Sequence, residues 1–125
     1  MSAMIHKSNN DYKKKQSLEI LSVNVDSIQK KLKSILLQKQ EDYGPLNISL
    51  APGGPLNGLR VRMYDKLARL SNLYESDSDT PNFESIQDTL IDLANYAIIG
   101  ILVQNGQWEG LPNDTKRSEE HTSEL

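Results

Sequence analysis

The chain has 125 residues, of which 37% are hydrophobic and 25% charged, and its formal net charge is −3; this fits one soluble domain with a modest core and leaves no room for two. Cysteine is absent, which removes disulfides, thiolate metal sites and a cysteine nucleophile. The acidic balance argues against general duplex-DNA binding, and the longest apolar run, YAIIGILV, is about half of the roughly 18 residues that a membrane span needs.

Residues 1–16 are polar, with Lys13, Lys14 and Lys15 in a row, and read as a flexible leader. They show neither the apolar centre nor the cleavage site of a secretory signal, so the expected location is cytoplasmic. Next, Leu18, Leu21, Val25, Ile28, Leu32 and Ile35 recur at alternating spacings of three and four, one apolar stripe along a helix. Asn24 can interrupt it, so the spacing predicts a helix over about 25–41. Asp42, Tyr43, Gly44 and Pro45 end it, since glycine suits the left-handed cap and proline cannot continue the ladder.

A loop with the sequence PGGP follows, and a second helix is expected from Asn57 as N-cap, with Leu59, Met63, Leu67, Leu70 and Leu73 as its apolar face. ESDSDTPN is a polar connection, with Thr80 or Asn82 as cap and Pro81 in the first turn. The third helix is expected over 83–105, burying Ile86, Leu90, Leu93, Ala97 and Ile101 and closed by Gly106. No useful strand alternation occurs, so the expected fold is all-α, with a domain over 17–110 and a tail over 111–125. Three helices make a thin core, and AIIGILV is apolar on every side. A homo-oligomer that completes a helical bundle is therefore expected.

The polar faces carry the chemistry. Glu84, Asp88 and Asp92 fall at i, i+4 and i+8 with Asn95 close behind, and like charges at that spacing repel by about 0.2–0.5 kcal/mol per pair. Two things answer such a line. One is the second helix, where Arg62, Asp65, Lys66, Arg69 and Asn72 share the face away from the leucines, giving a salt-bridge ladder or one wall of a ligand pocket. The other is Mg²⁺ or Mn²⁺, held by these carboxylates together with Glu41 and Asp42.

PGGP matches neither the P-loop nor the dinucleotide fingerprint. It is either a plain turn or, with the helix start behind it, an anion cradle to which Arg60, Arg62, Lys66 and Arg69 lend charge. Tyr43, Tyr64 and Tyr96 are core residues or a stacking platform for a base, and Trp108 reads as packing. The two histidines, His6 and His121, lie outside the domain, so no conventional triad can be built.

EDYGPLNI, GLRVRMYDKLARLSNL and ESIQDTLIDLANYAIIGILV together resemble the nucleotide modification associated domain 1 family, small proteins common in phages, over about 33–108. The likeness rests on Asp42, Tyr43 and Gly44; on Arg62, Asp65, Lys66, Arg69 and Asn72; and on Asp88, Asp92, Asn95 and Tyr96. It implies a viral origin and a link to nucleotide metabolism or modification, without bringing an established reaction. More distantly, the chain is similar to the all-α nucleoside triphosphate pyrophosphohydrolases of the MazG and dimeric dUTPase type, helical oligomers that hold Mg²⁺ between an E-x-x-E pair and an E-x-x-D pair. Here the first helix offers adjacent Glu41 and Asp42, and the third spaces its acids by four. The terminal RSEEHTSEL, residues 117–125, resembles a translated sequencing adapter, which implies that the native C-terminus is missing or replaced.

Three functional expectations follow. The first is a pocket holding a phosphorylated nucleotide between a basic and an acidic helix, with Mg²⁺-dependent hydrolysis of a nucleoside triphosphate as its chemistry. The second is a non-catalytic sponge that sequesters a nucleotide second messenger of host immunity. The third is a structural or partner-binding helical protein.

Overall fold

The computed structural model describes residues 2–76 and 81–112. Four helices follow one another, α1 (Ser2–Tyr43), α2 (Leu46–Ser49), α3 (Pro55–Glu75) and α4 (Pro81–Gln104), and no strand occurs among the described residues. The fold is all-α. The chain divides into two units, Met1–Ile35 and Leu36–Leu125.

The first unit is the N-terminal part of α1, which is helical from Ser2. Within the expected leader, residues 2–16 are thus helix, and Asn24 does not interrupt α1. No glycine or proline occurs before Gly44, so nothing in this stretch opposes propagation of the hydrogen-bond ladder. Leu18, Leu21, Val25 and Ile28 are all exposed.

The second unit begins with the last turns of α1. Gly44, at φ 71, takes the left-handed cap and donates its N–H to the Gln40 carbonyl at 2.8 Å, the stop the sequence predicts. The short helix α2 was not expected from the sequence, yet it buries Ile48 and Ser49. Next comes a turn in which the Gly54 N–H reaches the Ala51 carbonyl at 2.9 Å, with Gly53 at φ 80. Proline followed by a positive-φ glycine is the type II pattern. Gly54 caps α3 and Pro55 is its first residue, so the helix starts earlier than the predicted Asn57; a proline at that place loses no hydrogen bond. The side chain of Asn57 instead accepts two bonds from Arg60, at 3.0 and 3.2 Å.

Helix α4 starts at Pro81, while Thr80 and the tail over 113–125 lie outside the described residues. Its end is a Schellman motif: the Gln107 N–H bonds the Leu102 carbonyl at 2.8 Å and the Gly106 N–H the Val103 carbonyl at 3.0 Å, with Gly106 at φ 69.

α3 and α4 pack against each other, and α2 packs against α3. The core is Ile48, Leu59 and Ile99, joined by Leu36, Tyr96, Val103 and Trp108. The expected buried face of α4 is corrected here. Leu90, Ala97 and Ile101 are exposed and Ile86 and Leu93 only half-buried, whereas Thr89, Ile91, Asn95 and Ile99 are buried. At about 100° per residue these two sets lie on opposite sides of the helix, so α4 is turned roughly half a turn from the expectation. The physical reason is Asp92, which finds lysine partners only on the inward side. Of the apolar run, Ile99 is buried and Val103 packs on the core, while Ile98 and Ile101 stay exposed among the described residues. By length and composition alone Glu84–Gln104 suffices to cross a membrane, although its inward side carries this paired carboxylate.

Candidate functional site

The site grows from three charged side chains of the second unit, Asp92, Lys39 and Lys66. The Asp92 carboxylate accepts Lys39 Nζ at 2.8 Å on one oxygen and Lys66 Nζ at 2.9 Å on the other, and its side chain is 17% exposed. Burial pushes the Asp92 pKa up, but the hydrogen bonds from Lys39 and Lys66 outweigh it and hold the carboxyl below its usual value. The Asp92 hydrogen bond raises the Lys39 pKa, against partial burial. Both groups stay ionised at neutral pH.

Beside this cluster lies a cavity of about 270 Å³, just below the usual range for small-molecule sites. The last turns of α1 supply Leu36, Lys39, Gln40 and Tyr43 to its wall, and Gly44, Asn47 and Ile48 follow from the cap and α2. α3 contributes Arg62, while α4 contributes Asp92, Asn95, Tyr96 and Ile99, and Trp108 closes the wall from beyond α4. Asn95 is buried, so an amide faces a cavity whose rim carries two cations.

A clasp positions the wall. The Trp108 indole N–H donates to the Pro45 carbonyl at 3.1 Å, and the Ser49 hydroxyl donates to the Glu109 carbonyl at 2.5 Å. These bonds tie the segment after α4 to α2. Gly110, at φ 78, lets that segment pass: a Cβ there would stand 2.7 Å from Leu46 Cδ2. Arg62 reaches α2 as well, with one guanidinium nitrogen 3.5 Å from the Asn47 carbonyl.

Of the residues singled out in the sequence, the cavity gathers Tyr43, Gly44, Arg62, Asp92, Asn95 and Tyr96, with Lys66 bonded to Asp92. Arg60 lies elsewhere, bonded to Asn57 and lining a second, more open apolar groove with Leu56, Met63, Ala97 and Ile101. Asp65, Arg69 and Asn72 are exposed on α3 and do not line the cavity, and neither does the PGGP turn.

The carboxylates proposed as metal ligands do not converge. Glu41, Glu84 and Asp88 are exposed, and Asp42 accepts a bond from Gln38 at 3.2 Å. No group of three potential ligands occurs among the described residues. Asp92, the one acid among the described residues of the cavity wall, already has two ammonium partners, so these side chains do not fit a Mg²⁺ site.

Sequence reading missed Lys39, Gln40, Asn47 and the place of Trp108 in the wall. Lys39 carried a signal: four residues after Ile35, it stands where the stripe's next apolar residue belongs, and a lysine there calls for a carboxylate partner. Asn47 sits on a single-turn helix with no periodicity to reveal it. Comparison with family models, curated proteins and solved structures finds no match.

Proposed function

We propose that this protein binds a phosphorylated nucleotide in the cavity among α1, α2, α3 and α4 and holds it without turnover. The observation that carries the reading is the composition of the wall: Asp92 is shared by Lys39 and Lys66, which together with Arg62 leaves the site net positive, beside the buried Asn95 amide and three aromatic rings. Cations meet phosphate, an amide pairs with a base edge, and Tyr43, Tyr96 or Trp108 offers a stacking surface. The resemblance to the nucleotide modification associated domain 1 family points the same way, toward a phage protein acting in the host cytoplasm. A nucleotide second messenger is one ligand of this class.

Sequestration is preferred to hydrolysis because Asp92, held ionised between Lys39 and Lys66, is a weak general base and the described residues of the wall include no second carboxylate. The test is incubation with nucleoside triphosphates and cyclic or linear signalling nucleotides, with and without Mg²⁺, then denaturation and chromatography. An intact nucleotide depleted from solution and recovered after denaturation supports the proposal. Metal-dependent release of monophosphate and pyrophosphate makes the protein a hydrolase instead. Arg62→Ala weakens retention about tenfold, or about 1.4 kcal/mol, if the rim cation meets phosphate; unchanged retention removes that role.

A further inference from the structure

The charge and the size of the cavity among α1, α2, α3 and α4 narrow the ligand it takes. Asp92 lies between Lys39 and Lys66, and Arg62 stands in the same wall. Three cations against one carboxylate leave two positive charges. The Arg62 guanidinium meets the Asn47 carbonyl at 3.5 Å, the weak limit of a hydrogen bond, so its other donors are available to an anion. A phosphate monoester carries about −1.5 to −2 charge at neutral pH and three strong acceptor oxygens, which matches this surplus. A cyclic phosphodiester, with a single negative charge, leaves half of the surplus unanswered. A triphosphate exceeds it, and no group of three potential metal ligands occurs among the described residues to hold a cation that offsets the rest.

Size gives a second, independent limit. The cavity of about 270 Å³ falls just below the roughly 300–1,000 Å³ of sites that enclose a drug-sized ligand. It has room for one base with its sugar, so the second base of a dinucleotide gains nothing from the wall. Of the three rings there, Tyr96 and Trp108 pack against the core of Ile48, Leu59 and Ile99, and the Trp108 indole N–H is bonded to the Pro45 carbonyl. Tyr43 lines the cavity and is nevertheless 73% exposed. Its ring is therefore the one with a face to offer, which a stacked base covers.

Resting on the nucleotide-binding reading above, we propose that the ligand is a nucleoside monophosphate, its phosphate monoester meeting Arg62 and Lys39 and its base stacked on Tyr43. Titration calorimetry on the full chain, with and without Mg²⁺, tests this in each base series. The nucleoside monophosphate should bind at least tenfold more tightly than the cyclic monophosphate, the triphosphate and the cyclic dinucleotide of the same base. Equal or tighter binding of any of these three overturns the inference and leaves nucleotide binding standing; no binding by any nucleotide overturns both. Tyr43→Ala, at an exposed position outside the core, should weaken the monophosphate on the order of tenfold and leave binding of inorganic phosphate unchanged, while Tyr43→Phe retains the affinity. Undiminished binding of the monophosphate by Tyr43→Ala overturns the assignment of Tyr43.

Discussion

The inward side of α4 buries Thr89, Ile91, Asn95 and Ile99 and brings Asp92 between two lysines, while its outward side leaves Leu90, Ile98 and Ile101 exposed. One helix therefore shows a mixed polar and apolar face to its own chain and an apolar face to its surroundings. The difference teaches that partners for polar groups decide how a helix turns. Thr89 is satisfied locally, its hydroxyl donating to the Ser85 carbonyl at 2.7 Å, but Asp92 needs cations that only α1 and α3 supply. An exposed leucine forgoes some burial, whereas an unpaired buried carboxylate costs far more.

Substitutions on the two sides measure that contrast. Ile99→Ala opens a hole among Ile48 and Leu59 and should cost about 2–4 kcal/mol in urea unfolding. A loss as small as that of an exposed position would mean that the core closes without Ile99. Asp92→Asn keeps the shape but strips Lys39 and Lys66 of their acceptor charge; with both lysines partly exposed, about 1–2 kcal/mol is expected. Ile101→Gln, on the outward side, should change the stability of the isolated chain by no more than about 0.5 kcal/mol. A larger loss that grows with protein concentration would show that another molecule covers this side.

The same pair gives a pH test. The folded pKa of Asp92 is depressed, so its stabilisation is complete above the unfolded value of about 3.9 and is lost as pH falls through the folded value. The folded pKa of Lys39 is raised, so its stabilisation is complete below about 10.4 and is lost as pH rises through the folded value. The urea midpoint difference between the native chain and Asp92→Asn should accordingly stay level from about pH 5 to 9 and shrink on either side. A difference that falls away near pH 7 would show that another titrating group governs the site.

The ends of α1 and α4 and the start of α4 were legible in the sequence because Gly44, Gly106 and Pro81 act locally, whereas the start of α3 at Pro55, the one-turn α2 and the helix before residue 25 were not. Which side of α4 faces inward was not legible, because it depends on Lys39, 53 residues away from Asp92, and no periodicity records such a pairing. The candidate site was half legible for the same reason. Arg62, Asp92, Asn95 and Tyr96 stand on regular helices where spacing exposes a face, whereas Asn47 and Trp108 enter the wall through a one-turn helix and an irregular crossing.

That crossing gives the protein an optical property. Trp108 is the chain's one tryptophan; its indole is anchored to the Pro45 carbonyl and forms part of the cavity wall. Its emission thus reports a single environment. Ligand entry, a strained clasp or loosening of α2 each alters the polarity around that ring, so occupancy of the cavity can be followed by intrinsic fluorescence without attaching a dye.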